Sequence, residues 1–227
     1  MPTALRACWL GPMSFDAALA LQMEAREAVV AEREAPILYL VEHPAVLTVG
    51  RRGSSKDILW TDAELEANGV EVFETPRGGE VTLHAPGQLV AYPIVPIGRQ
   101  IRAHLHNLAD TSLALIAELG VEGAEFRMDH PGIWIGDAKL GSIGVHISRG
   151  VTVQGLSLNL SVDPKLFGAL VSCGMQGLQM RSVGDLVASV PSVQEAARRW
   201  ATLWATQTDA ELEWVGAPGA PDSAPSC

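Results

Sequence analysis

Lys139-Leu-Gly-Ser-Ile-Gly-Val-His-Ile-Ser148, Arg149-Gly150 and Val151-Thr-Val-Gln-Gly-Leu-Ser-Leu-Asn159 form the block whose reading decides the fold. Aliphatic and β-branched residues fill both arms. Arg-Gly between them suits a two-residue reversal, because glycine takes positive φ without a steric penalty. The block predicts an antiparallel hairpin with arms Lys139 to Ser148 and Val151 to Ser161. Counting back from the turn sets Ser148 opposite Val151, Gly144 opposite Gly155, Ile143 opposite Leu156 and Ser142 opposite Ser157. Two facing glycines remove both side chains at one level, which marks either close approach by a ligand or a bulge or packing constraint.

Working outward, Gly132-Ile-Trp-Ile-Gly136 reads as a further strand, and helices are expected at Ser14 to Glu34 and Arg102 to Leu119. Short apolar runs at Ile37 to Val41, Val46 to Val49, Val70 to Phe73, Val81 to Leu83 and Leu89 to Ile94 have strand length. Asp62 is expected to cap a short helix through Asn68, and a short helix is expected over Pro164 to Val171. Ser192-Val-Gln-Glu195 is a capping box that opens a helix to about Ala205. Strands and helices interleave without a repeat, so the expected class is α/β (α+β), a mixed sheet flanked by helices. One domain over 1–215 and a disordered Ala/Pro-rich tail over 216–227 complete the expectation.

The chain has 227 residues, a formal net charge of -10, 48% hydrophobic and 19% charged residues. That balance supports a sizeable core and argues against nonspecific nucleic-acid binding, which needs a basic face. The longest stretch without Asp, Glu, Lys or Arg, Val81 to Gly98, contains Pro86, Pro93 and Pro96, so no membrane span is expected. No secretory signal is read at the N-terminus, and a cytoplasmic location follows as an expectation. Three widely separated cysteines, Cys8, Cys173 and Cys227, fit reduced thiols. The six histidines and three cysteines show no metal-ligand spacing, so no metal and no cofactor are expected. His104 and His106 fall on the Arg102 helix and are assigned to its surface or boundary.

Arg77-Gly-Gly-Glu-Val-Thr-Leu-His84-Ala-Pro-Gly-Gln88 gathers glycines, a hydroxyl, an arginine and a histidine where backbone approaches a ligand closely. Alone, it fits a structural turn as well as a ligand loop. Together with Glu42-His-Pro44, Lys139-Leu-Gly-Ser-Ile-Gly144, Gly155-Leu-Ser-Leu-Asn159 and Cys173-Gly174, it resembles the ordered signature blocks of the lipoyl(octanoyl) transferase family. The resemblance implies a largely antiparallel sheet of the kind shared with lipoate- and biotin-protein ligases. It also implies transfer of an octanoyl group from octanoyl-acyl carrier protein to a lysine. The acceptors it implies are lipoyl domains of 2-oxo acid dehydrogenase complexes and the glycine cleavage H protein, with neither nucleic acid nor membrane as partner.

Residue by residue, the resemblance assigns catalysis to Cys173 and Lys139. It assigns substrate contact to Arg77, Gly78, Gly79, Glu80, Val81, Thr82, Leu83 and His84, to Ser142, Ile143 and Gly144, and to Gly155, Leu156 and Ser157. The chemistry is coherent: thiol-to-thioester exchange is nearly balanced, and the resulting thioester remains open to an amine. A thiol with a pKa of ~8.5 needs a nearby cation to be thiolate at neutral pH, a charge that Lys139 supplies. On this reading the facing glycines become a slot for the acyl chain, and Gly155→Val is expected to stay folded while shortening the accepted chain. The chain departs from the family at Gln154, where histidine is usual, at Ser172 for proline and at Arg181 for threonine. An ATP-dependent lipoate-protein ligase on the same fold and a noncatalytic acyl- or lipoyl-domain-binding protein are the alternatives.

Overall fold

The computed structural model describes residues 3–218 apart from Gln176, and within that range the side chain of Cys173 lies outside what is described. Of the expected tail, only residues 216–218 are described. The chain opens with β1 (Thr3–Pro12) and α1 (Phe15–Val30), the latter entered at Ser14. The helix stops short of the expected Glu34 because Glu32 takes a φ of 53° and turns the chain ahead of Pro36. β2 (Ile37–Glu42) and β3 (Val46–Val49) follow, separated by His43-Pro44-Ala45. α2 (Asp62–Ala67) is capped one residue before the expected position: Thr61 Oγ1 accepts from Glu64 N, and Glu64 returns a bond to Thr61 N, leaving Asp62 inside the first turn.

β4 (Glu71–Glu74), β5 (Val81–His84) and β6 (Gln88–Ile94) lead to α3 (Ile101–Glu118). β7 (Ala124–Arg127), β8 (Gly132–Ile135), β9 (Ala138–Ser148) and β10 (Val151–Asn159) form a meander. A 3₁₀ segment at Pro164–Ala169 and a 3₁₀ turn at Ser172–Gly174 precede the two-residue β11 (Gln179–Met180). α4 (Val193–Gln207), opened by the Ser192 capping box, and β12 (Ala210–Trp214) complete the described chain. The sequence reading assigned neither β7 nor β12.

The fold is a mixed α/β architecture built on a large, mostly antiparallel sheet in the order β12-β1-β2-β6-β10-β9-β8-β7, with β11 added in parallel beside β9. A three-stranded sheet, β4-β3-β5, packs beside it. Alternation along the strands sends side chains to opposite faces. Leu38 and Leu40 of β2 join α3 and α4 in one core cluster, whereas Ile37, Tyr39 and Val41 join α1 in another. α4 seals the first cluster with Trp200 and Trp204, whose rings stack at 5.2 Å, and Trp200 Nε1 donates to Ser112 Oγ at 2.9 Å.

The β9–β10 hairpin has the register counted from the turn, Val151 with Ser148 through Gly155 with Gly144 to Ser157 with Ser142. Arg149 and Gly150 both have positive φ, 52° and 79°, as a two-residue type I′ turn requires. The expected slot at Gly155 is corrected. A Cβ there would sit 2.3 Å from the carbonyl oxygen of Ala91 and 2.9 Å from Pro93 Cδ, so the space a side chain would take at this glycine is already filled by strand β6. Gly155→Val is therefore expected to lose about 3 kcal/mol or more from overpacking, on the order of 10 °C in Tm, readable by thermal unfolding. Wild-type stability in that variant would show that β6 yields.

His104 departs from its surface assignment. It is 3% exposed, with its ring edge-on to Trp204 at 5.7 Å, because α4 covers that face of α3. Burial pushes its pKa down to about 4, against an unfolded value of ~6.5. Between those values the unfolded chain binds the extra proton, so stability falls as pH drops from about 6.5 through about 4 and then levels off. His43, pushed down to about 4 chiefly by burial, has the same sign. Urea midpoints at about pH 7 and pH 5 should show this loss, and His104→Leu should make the difference smaller. An unchanged difference in the variant would remove His104 from the account.

Candidate active site

A cavity of about 230 Å³ lies where β9 and β10 meet the loop over residues 75–80. The loop exists because β3 and β5 are antiparallel neighbours joined by a long return through β4, leaving Pro76 to Glu80 to fold over the large sheet. Gly78 N donates to the carbonyl of Val145 on β9 at 3.3 Å, while Gly50 N and Arg52 N donate to the carbonyls of Glu80 and Gly79. Arg77 is buried within it and donates to both oxygens of Thr48 and, at 3.0 Å, to the carbonyl of Gly78. A Cβ on Gly144 would stand 3.3 Å from Arg77 Cδ and 3.5 Å from the Gly78 carbonyl oxygen. Of the two facing glycines, Gly144 is thus the one that makes room beneath the loop.

Arg77 to Thr82 and His84 from the loop and β5, Lys139 and Ser142 to Gly144 from β9, and Gly155 to Ser157 from β10 all line this cavity. Leu83 does not: it is buried with Leu47 and Leu65 under the small sheet, as alternation between Thr82 and His84 requires.

Lys139 is 1% exposed, an uncommon state for lysine. The β8–β9 hairpin turns at Gly136-Asp137 and pairs Lys139 with Trp134, placing Nζ 5.1 Å from the centre of the indole ring. Lys139 Nζ also donates to the carbonyl of His130 at 3.4 Å, an oxygen that accepts the Trp134 indole N–H as well. A register shift follows immediately, so that Ile133 faces Gly141. Gly132 is the space into which the lysine folds: a Cβ there would lie 2.4 Å from Lys139 Cε.

The backbone of Cys173 lies in the Ser172–Gly174 turn, which packs against β5. That segment is tied down at both ends. Before it, Leu170 bridges Ile58 and Val171 N donates to the Asp57 carbonyl at 2.7 Å. After it, Met180 pairs with Lys139, and Arg181 N donates to the Lys139 carbonyl at 3.0 Å. A Cβ on Gly174 would reach 4.0 Å from Glu80 Cγ. The turn is thereby held between the strand that carries Lys139 and the glycine-rich loop. Cys8, by contrast, is buried in β1 with its pKa pushed up to about 11 by burial, and Cys227 lies outside the described residues.

Several lining residues escaped the sequence reading. Phe15 stacks on the His84 ring at 6.0 Å, and Tyr92 shares a 2.9 Å hydrogen bond with His43 Nε2, whose ring lies edge-on to His84 at 5.5 Å. Gln154, which the sequence marked only as a departure from the family pattern, also lines the cavity, at a φ of 62°, with its backbone N–H donated to Gln22 Oε1 and its side chain to Thr75 Oγ1. The pairing of Trp134 with Lys139 was countable from Gly136-Asp137 as a two-residue turn. Burial pushes His84 down to about 3 and the Tyr92 phenol well up, so both rings are neutral at ordinary pH. Among the described residues there is no group of three or more metal-ligating side chains, and no helix is long and apolar enough to cross a membrane.

Residues 14–204 match the model of the lipoyl protein ligase A/B catalytic domain. The chain is similar to an octanoyltransferase of Maridesulfovibrio salexigens, 36% identical over 82% of this chain and 88% of the relative. It is 32% identical to an octanoyltransferase of Caldicellulosiruptor bescii over 93% of this chain and 95% of that one. In fold it is similar to a bipartite lipoate protein ligase of Thermoplasma acidophilum, described with its E2 lipoyl domain, at a TM-score of 0.71 and 14% identity over 96% and 88% of the two chains.

Proposed function

Because the chain belongs to the lipoyl protein ligase A/B catalytic-domain family, and is an acyltransferase resembling octanoyltransferases within it, we propose that it transfers octanoyl from an acyl-carrier thioester to a lipoyl-domain lysine through Cys173. The observation that carries this reading is Lys139, a buried lysine at the cavity wall whose own strand anchors the segment bearing Cys173. In the first half-reaction the Cys173 thiolate attacks the thioester carbonyl. A new C–S bond forms, the carrier's C–S bond breaks, and the departing carrier thiolate leaves as a thiol by taking a proton from the Lys139 ammonium, which becomes a neutral amine. In the second, the acceptor amine attacks the acyl-Cys173, the C–N bond forms, and the C–S bond to Cys173 breaks.

Lys139 serves both halves. Its charge favours the Cys173 thiolate at the outset, and as a neutral amine it accepts the proton lost from the attacking lysine. The lipoyl domain as acceptor draws support from the Thermoplasma acidophilum ligase, which is described with such a domain.

An adenylating ligase activates a free acid with ATP and needs no cysteine. Octanoyl transfer from a purified carrier thioester, in nucleotide-free buffer, tests the distinction. Product without ATP is the expected result; product only from free acid and ATP would replace this reading with the ligase.

A further inference from the structure

His84 enters the cavity wall with one nitrogen already committed. Its Nδ1 lies 2.8 Å from Gln88 Oε1, which leaves Nε2 as the nitrogen available to the cavity. The direction of that bond is fixed from outside the ring. Gln88 Nε2 lies 3.2 Å from the Leu83 carbonyl and 2.8 Å from Asn159 Oδ1. Asn159 Nδ2 in turn lies 3.1 Å from the Arg181 carbonyl.

A backbone carbonyl only accepts. Arg181 therefore orients the Asn159 carboxamide with its NH₂ outward, and Asn159 presents oxygen to Gln88. Leu83 orients Gln88 in the same sense, with its NH₂ towards Leu83 and Asn159 and its oxygen towards His84. The imidazole must then donate from Nδ1, and since a neutral ring carries one N–H, Nε2 holds a lone pair. Gln88 is 2% and Asn159 1% exposed. At that burial, reversing either amide would oppose like groups and leave them without partners.

The same chain of bonds reaches the other half of the site. The Arg181 carbonyl accepts from Asn159, and the Arg181 N–H donates to Lys139, so Asn159 holds the return of the Cys173 segment.

We propose that Gln88 and Asn159 are positioning residues that lock His84 as its Nδ1–H tautomer, so that Nε2 accepts a hydrogen bond from an N–H of the arriving substrate. His84 then supplies no proton to the oxyanion formed at the thioester carbonyl. The role rests on the acyl-transfer reading of the cavity. Two N–H sources have this chemistry: an amide of the carrier's arm in the first half-reaction, and the attacking lysine amine in the second. For the amine, a bond from one N–H to Nε2 aims the nitrogen lone pair at the carbonyl carbon.

The test uses full-length protein labelled with ¹⁵N-histidine and long-range ¹H–¹⁵N spectra. In the wild type, His84 should show a protonated Nδ1 and an unprotonated Nε2, unchanged between about pH 5 and pH 8. Gln88→Leu removes the acceptor and should move the proton to Nε2. Asn159→Asp still accepts from Gln88 and should leave the tautomer in place. In single-turnover assays Gln88→Leu should slow one half-reaction by about tenfold, the worth of one hydrogen bond to a reacting group. Slowing of Cys173 acylation identifies the carrier amide as donor; slowing of transfer to the lipoyl domain identifies the amine. A protonated Nε2 in the wild type overturns the proposal, as does a switched tautomer with both half-reactions at wild-type rate. If Gln88→Leu does not fold, the wild-type spectrum decides, a protonated Nδ1 supporting the proposal and a protonated Nε2 overturning it. Wild-type protein that never acylates Cys173 would instead remove the transfer reading, and that is seen without reference to the tautomer.

Discussion

Cys173→Ala is expected to abolish transfer, with a loss on the order of 10³-fold or more, and to leave the fold intact. The size follows from the role: a nucleophile that forms the covalent intermediate has no substitute within its own mechanism, and residues acting as a unit fail together. Cys8 cannot stand in, because it is buried in the β1 layer with its thiol held protonated to about pH 11. The turn that carries Cys173 is fixed by backbone bonds at Leu170, Val171 and Arg181, none of which needs the thiol. Thermal unfolding of the variant should therefore match the wild type, and transfer by a folded Cys173→Ala at an appreciable rate would eliminate the cysteine route.

Lys139→Arg separates charge from proton transfer. Arginine keeps the positive charge yet cannot be deprotonated at accessible pH. The variant should still acylate Cys173 slowly, while its transfer to the acceptor amine falls by roughly 10²–10⁴-fold, the usual worth of a general base. The packing adds a second expectation. Lys139 fills the space left by Gly132 beneath Trp134, and a guanidinium is broader than the ammonium it replaces. Lys139→Met, close in length but without charge, should lose acylation of Cys173 in addition to amine transfer. Single-turnover rates for the two half-reactions, measured separately, distinguish these effects, and near-normal amine transfer by Lys139→Arg would end the proton-shuttle role.

The hairpin at the centre of the site was legible because a two-residue turn pins register, and a one-residue slip would invert every side chain. Counting from Arg149-Gly150 gave the observed pairs down to Ser157 with Ser142. What counting could not reveal was the third strand. Gly155 is crowded by Ala91 and Pro93 of β6, more than sixty positions upstream, so its purpose depends on a pairing no local pattern announces. His104 was misassigned for a similar reason: Trp204 of α4, one hundred positions later, covers it. β12 did carry a signal, with Leu212 and Trp214 alternating with Glu211 and Glu213, but a five-residue edge strand after a helix is weak on periodicity alone. The glycine-rich loop was visible as a cluster of residue types, whereas its closure over Gly144 came from the buried bonds between Arg77 and Thr48.

The central claim is that the acyl group passes through the chain itself. Wild-type protein should be mixed with octanoyl-carrier thioester in nucleotide-free buffer and its intact mass recorded, before and after a lipoyl domain is added. The enzyme should gain the mass of one octanoyl group on Cys173, located by peptide mapping, and lose it as the lipoyl domain gains the same mass. Octanoylated lipoyl domain produced at full rate while the enzyme never carries an acyl group would contradict the claim.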